Sequence, residues 1–169
     1  MPFGPLTGIG GIDKQSDIFI INESPSKEDA EINELLYDYK GLLLHKLMKS
    51  AGLTKYYLSS LLRCHSPGIP TKTNISKCFN WIDKELEIVK PKIIITLGHI
   101  VSYTVLSKHI KKSDKIKDYA GKIYEWRNYK VIPIYGLHYL YMRGKKEHIA
   151  TIQQLKGIKG ILNDIQKCP

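Results

Sequence analysis

Lys90-Pro91-Lys92-Ile93-Ile94-Ile95-Thr96-Leu97-Gly98 is the stretch on which the fold of this chain turns. Pro91 closes any helix that precedes it, since a proline restricts the residue before it and cannot continue the hydrogen-bond ladder. The next five residues are β-branched or apolar without a break. A run of that length, bounded by Pro and Gly, is a strand covered on both faces, as in a parallel sheet. Gly98 marks its exit into a helix expected over 100–107.

Upstream of Pro91, Ile75, Cys78, Phe79, Ile82, Leu86 and Val89 recur at steps of three and four, the spacing of one buried helical face. Earlier still, Ile18-Phe19-Ile20-Ile21 is a second short buried strand that runs into the polar turn Asn22-Glu23-Ser24-Pro25-Ser26. Leu43, Leu44, Leu47 and Met48 predict a helix over 41–51 with Gly52 as its stop. Residues 56–62 read as another strand, followed by a Pro- and Gly-bearing loop over 63–73. Downstream, 108–117 is a basic surface segment. Residues 122–126 and 129–135 read as strands joined at Arg127-Asn128, and 149–165 has helical spacing interrupted by Gly157 and Gly160.

Strands alternating with helices of this length imply βαβ units. The expected architecture is α/β: a three-layer α/β/α sandwich around a four-stranded, mainly parallel sheet. The Gly- and Pro-rich residues 1–16 are expected to form a flexible N-terminal arm, and 17–169 a single domain. In such sheets ligands bind beyond the carboxyl ends of the strands. That rule directs attention to 22–26, 60–69, 98–99 and 135–144.

The chain has 169 residues, enough for one ordinary core, and carries a net charge of +10 from 26 Lys+Arg against 16 Asp+Glu. That surplus attracts polyanions, nucleic acid first among them, although a compositional bias toward Lys and Ile would produce the same number on a merely solvated surface. No apolar run reaches the ~20 residues of a membrane helix, and no basic segment followed by an apolar one opens the chain. The expectation is an intracellular, cytoplasmic protein that meets no membrane, and a monomer. The cysteines, Cys64, Cys78 and Cys168, are odd in number and widely spaced, so reduced thiols are expected.

The segments at the strand ends, in their order, resemble the iron-sulfur (family 4) branch of the uracil-DNA glycosylase superfamily. An apolar strand leading into Gly-Glu-Ala-Pro-Gly is similar to Ile18-Phe19-Ile20-Ile21 followed by Asn22-Glu23-Ser24-Pro25-Ser26. A Leu-rich helix ending Ala-Gly-Leu is matched through Ala51-Gly52-Leu53. The family's Tyr-Val-Thr-Asn-Val-Val-Lys-Cys-Arg-Pro-Pro-Gly resembles Tyr57-Leu58-Ser59-Ser60-Leu61-Leu62-Arg63-Cys64-His65-Ser66-Pro67-Gly68. Its Lys-Pro-Lys-(apolar)-Thr-Leu-Gly is nearly the stretch quoted first. The likeness spans residues 17–143.

The resemblance implies a DNA-binding protein and, if active, a monofunctional glycosylase that hydrolyses the N-glycosyl bond of uracil or a related base during DNA repair by base excision. The rival reading it leaves is a catalytically inactive glycosylase-fold module that binds DNA, single- or double-stranded, beside a polymerase or another replication protein. Glu23 matches the family's acid, which orients water or balances the positive charge growing on the sugar. Ser60 stands where the family has the Asn that reads uracil, and one hydroxyl cannot hold that edge as selectively as the amide does. Asn22 lies beside it. The family's stacking Phe falls on Leu36 or Tyr37.

The family's second motif, His-Pro-(small)-Tyr-Leu-Leu-Arg, meets Tyr135-Gly136-Leu137-His138-Tyr139-Leu140-Tyr141-Met142-Arg143-Gly144. Aligned without gaps, Gly136 occupies the place of the catalytic His. With one residue deleted, His138 does. Either way Tyr139, Leu140, Tyr141 and Met142 form an apolar, aromatic tip suited to insertion into DNA. Ser24, Pro25, Arg63, Arg143 and Lys145 are the expected DNA contacts, with Lys72, Lys77 and Lys146 as further basic residues at the mouth. The family's cluster needs four cysteines, of which only Cys64 and Cys78 have counterparts, so no iron-sulfur cluster or other metal is expected.

Overall fold

A computed structural model of the chain describes residues 9–11 and 16–167. In chain order its elements are β1 (Ile9–Gly11), β2 (Ile18–Asn22), α1 (Lys27–Ile32), α2 (Tyr39–Ser50), β3 (Tyr56–Ser60), α3 (Lys72–Val89), β4 (Ile93–Leu97), α4 (His99–Val105), β5 (Tyr124–Trp126), β6 (Tyr129–Ile134), α5 (Leu137–Met142) and α6 (Lys145–Lys167), with a single 3-10 turn at Ile116–Asp118 before β5.

The sheet is ordered β1-β3-β2-β4-β6-β5. Its four inner strands, β3, β2, β4 and β6, are mutually parallel, as the buried runs require. Among the described residues the sheet nevertheless has six strands and not the four expected. At one side β5 pairs antiparallel with β6, and at the other β1 pairs antiparallel with β3. β1 falls within the stretch 1–16, for which the sequence predicts no regular structure. Gly10 and Gly11 are poor strand formers, and it is the free edge of β3 that gives them backbone partners. Residues 1–8 and 12–15 of that expected arm lie outside the described residues.

Side-chain parity along the strands builds two cores. Ile18, Ile20, Ile93, Ile95, Ile132 and Ile134 pack on one face with α2, α5 and α6. Phe19, Ile21, Ile94 and Val131 pack on the other with α3 and α4. This is the α/β/α sandwich. α6 runs unbroken through Gly157 and Gly160, against the interruption expected there. Each glycine costs a helix about 1 kcal/mol, which the burial of Leu155 and Ile158 against the sheet face offsets.

One topological point positions the site. After β2 the chain moves to β3 on one side, and the crossover α3 then carries it to β4 on the other side of β2. The helices that follow β2 and β4, α2 and α4, lie on opposite faces. The carboxyl ends of β2 and β4 therefore flank a crevice where the strand order reverses, the usual ligand position in open α/β sheets.

Candidate functional site

Strand pairing alone brings the first two site segments together. Asn22 and Ser60 are direct partners in the β2–β3 register. Beyond the strands the two loops stay joined: Leu61 N–H donates to the Asn22 carbonyl at 2.8 Å and Leu62 N–H to that of Glu23 at 3.0 Å. The Asn22 side-chain amide donates to the Ser24 carbonyl at 3.0 Å, which tightens the turn around Glu23.

Ser26 then caps α1. Its hydroxyl accepts from Asp29 N–H, and the Asp29 carboxylate accepts from Ser26 N–H, a reciprocal capping box. The second oxygen of Asp29 accepts from Tyr37 N–H at 2.9 Å. This fully buried acid thus pins the chain on both sides of α1.

From there the chain enters α2 through a tight place. Leu36 has a left-handed backbone (φ 55°) and is buried in the core, leaving Tyr37 exposed. A Cβ at Gly41 would lie 1.5 Å from the Leu36 carbonyl oxygen, so no other residue fits there. Asp38 caps α2 by accepting from the N–H groups of Lys40 and Gly41, and its carboxylate pairs with the Lys40 ammonium at 3.1 Å.

Lys40 and Tyr39 connect the halves of the site. Burial raises the Glu23 carboxyl above its ordinary 4.5, and the nearby charge of Lys40 partly offsets that rise. Tyr39, one residue earlier, reaches the other half: its hydroxyl lies 3.4 Å from His138 Nδ1 and its ring centroid 4.2 Å from that of Tyr141.

The remaining segment comes from β4 and β6. Gly98 N–H donates to the Ile134 carbonyl at 2.9 Å, and a Cβ on Gly98, whose φ is 87°, would stand 3.4 Å from Gly136 Cα. Gly136 is the N-cap of α5. Glu23, Ser60 and the α5 segment therefore gather at one end of the parallel strands, with Tyr39-Lys40 between them.

Several expected contacts take other positions. Arg63 does not face a phosphate. It is 1% exposed, and its guanidinium grips Glu85 at 2.9 and 2.7 Å while also donating to Ser59 at 3.0 Å. A cation so buried must be paired, and α3 supplies the carboxylate. The Ser59 hydroxyl donates to the same carboxylate at 2.5 Å. Burial, with the Glu85 charge second, pushes the neighbouring Tyr57 hydroxyl up to about 12.

Leu140 is 0% exposed, because on a six-residue helix it shares the inward face with Leu137. It does not belong to an inserting tip, whereas Tyr139, Tyr141 and Met142 are exposed. Pro25 is likewise buried, which leaves Ser24 as the partly accessible residue of that pair. Ser60 is 0% exposed, and its hydroxyl has no hydrogen-bond partner among the described residues. His138, Arg143 and Lys145 are exposed. His99 is half-buried between the Tyr119 hydroxyl and the Lys112 carbonyl.

A concavity of about 720 Å³ lies outside this gathering, between α3 and α4, lined by Ile75, Phe79, Ile100 and Tyr103 among others and by none of Glu23, Ser60 or His138. Cys64 and Cys78 are half-buried free thiols. No group of three or more potential metal ligands exists among the described residues. No helix among the described residues is long and apolar enough to cross a membrane.

Sequence reasoning missed Tyr39, Lys40 and Asp29. The Ser26-x-x-Asp29 spacing is a legible capping signal, but nothing in the sequence pairs Tyr39 of α2 with Tyr141 of α5.

The chain is similar to a Type-4 uracil-DNA glycosylase of Archaeoglobus fulgidus, 27% identical over 138 residues, which cover 77% of this chain and 68% of that protein. It is similar to another from Thermotoga maritima, 26% identical over 168 residues, covering 96% of this chain and 80% of the relative. A DNA polymerase of Bacillus phage SP01 is 25% identical over 135 residues, 77% of this chain but only 14% of the polymerase. The profile of the uracil DNA glycosylase superfamily matches residues 9–156. The α/β fold and that match over most of its length agree: the chain belongs to the uracil DNA glycosylase superfamily.

Proposed function

We propose that this protein binds DNA and hydrolyses the N-glycosidic bond of uracil or a closely related base, without an iron-sulfur cluster. The observation that carries the proposal is the setting of Glu23. It is half-buried at the carboxyl edge of β2, beside a fully buried Ser60, with Lys40 close enough to temper its proton affinity. The similarity to two proteins named Type-4 uracil-DNA glycosylases supports the same reading.

In this reaction the bond from C1′ of the sugar to N1 of the base breaks, and its electron pair leaves with the base. Water attacks C1′ and gives up its proton. The Glu23 carboxylate balances the developing positive sugar and accepts that proton. His138, the imidazole on the α5 side of the site, donates toward the oxygen on which the leaving base collects charge. Asn22 and Tyr37 hold the base, with the buried Ser60 behind Asn22 in the strand pairing, and the exposed residues Tyr139, Tyr141, Met142, Arg143 and Lys145 hold the strand. A flipped base must give up its stacking partners, and aromatic side chains replace them.

Incubation with uracil-containing oligonucleotides followed by alkali is expected to yield strand breaks at uracil. Glu23→Gln is expected to lose that product by at least about 100-fold, the usual contribution of such a group. A second reading, a DNA-binding module without catalysis, is favoured by Gly136 at one alignment of the catalytic His and by the similarity to part of a phage DNA polymerase. Salt-sensitive binding with no product from the unmodified protein would establish the second reading in place of the first.

A further inference from the structure

The concavity of about 720 Å³ between α3 and α4 takes no part in the chemistry proposed above. α3 turns Lys72, Ile75 and Phe79 toward it and α4 turns Ile100 and Tyr103, so each wall is one face of a helix at steps of three and four. The four apolar side chains among these are only partly buried. Ile69, just before α3, also lines it and is 80% exposed, an apolar residue standing in water beside an apolar floor.

The polar groups within the concavity are engaged by the chain itself. The Thr104 hydroxyl donates to the Ile100 carbonyl at 2.8 Å, and the Ser76 hydroxyl to that of Thr73 at 3.0 Å. One ring nitrogen of His99 meets the Tyr119 hydroxyl and the other the Lys112 carbonyl. The floor therefore offers an occupant apolar contact and little hydrogen bonding.

The bond from His99 to the Lys112 carbonyl also ties the basic segment 108–117 to the start of α4. That segment carries five lysines against one acid, Asp114, and its Lys112 lines the concavity opposite the α3 wall that carries Lys72. No Asp or Glu lines it, and among the described residues no carboxylate pairs with Lys72 or Lys112.

We infer that this groove receives an acidic amphipathic helix of a partner protein, with its apolar stripe between Phe79 and Tyr103 and its carboxylates toward Lys72 and Lys112. A groove walled by two helices and floored with apolar side chains suits a third helix laid into it. A phosphate backbone would meet the lysines and leave the floor wet, and an uncharged apolar ligand would fill the floor and leave the lysines unmet. A second copy of the chain would bring another charge of +10 to a rim that is already basic. A helix that is apolar on one face and acidic beside it answers both features. The inference does not depend on uracil excision and holds or fails separately from it.

The test is fluorescence anisotropy on the full chain with a labelled synthetic helix of about 15 residues, leucines along one face and glutamates elsewhere. Two controls accompany it: the same residues scrambled so that the leucines share no face, and a twin with lysine for glutamate. The acidic amphipathic peptide is expected to bind at least about tenfold more tightly than either. Ile69→Asp, and Lys72→Glu with Lys112→Glu, are each expected to weaken that binding by about tenfold while leaving the melting temperature unchanged, since all three side chains are exposed. Equal binding of the scrambled peptide would reduce the effect to the net charge of the chain and overturn the groove, as would variants that bind the peptide unchanged or an unmodified protein that binds none of the three. Displacement of the peptide by an oligonucleotide would assign the lysines to DNA, and self-association abolished by Ile69→Asp would assign the face to a second copy; either overturns the partner helix.

Discussion

At the scale of single residues, Glu23 experiences two opposing influences. Burial disfavours its charged form, and Lys40 favours it. Catalysis by the carboxylate is therefore expected to fall as pH drops through a midpoint above 4.5, the ordinary value. Removing the charge with Lys40→Met should move that acid limb to still higher pH, read from the pH dependence of product formation. Because the folded carboxyl holds its proton more tightly than the unfolded one, ionised Glu23 costs the fold stability. The cost is absent below the unfolded pKa and full above the folded one. Glu23→Gln is accordingly expected to melt no lower than the unmodified protein at neutral pH, even as it loses product.

Among the elements, the joint between β3 and α3 is an ion pair where a hydrophobic contact would be usual. Arg63 and Glu85 are both buried, and each satisfies the other's charge. Arg63→Met leaves a buried carboxylate without its cation and is expected to cost ~3 kcal/mol or more in chemical denaturation. Arg63→Met with Glu85→Leu should recover most of it, since an apolar pair of similar volume is often as stable. DNA affinity of the folded Arg63→Met fraction should be unchanged, because this guanidinium does not reach the surface.

The same joint shows how far the sequence could be read. The runs 18–21 and 93–97 and the periodic helix closed by Pro91 identified the parallel core, because buried strands and amphipathic helices write their burial into composition. α1 and α5, of six residues each, are too short to show a period, and β1 exists only because β3 offers an edge. A lone Arg beside a Cys and a Pro reads as a surface cation. Only the position of Glu85, 22 residues later on α3, turns it inward. Of the site, Glu23 and Ser60 were legible through the resemblance of residues 22–26 and 57–68 to the family's motifs. The packing of Tyr39 on Tyr141 is tertiary and leaves no local trace.

For the whole molecule, a charge of +10 acts as a field whose effect on DNA association is screened by salt. The logarithm of affinity for single-stranded DNA is expected to fall linearly with the logarithm of salt concentration. Lys145→Gln with Lys146→Gln should flatten that line by about 0.7 for each phosphate that is no longer neutralised, so the change in slope reports how many phosphates these two lysines meet, whichever base is read.

The approach of Gly98 to Gly136 bears on what position 136 can hold. The backbone at 136 is ordinary extended chain (φ −65°, ψ 145°), and a Cβ there would meet nothing nearer than Gly98 Cα, at a comfortable 3.5 Å. A first side-chain carbon is thus accommodated at the spot where one alignment with the relatives would seat the family's histidine, so Gly136→Ala is expected to fold and melt like the unmodified protein.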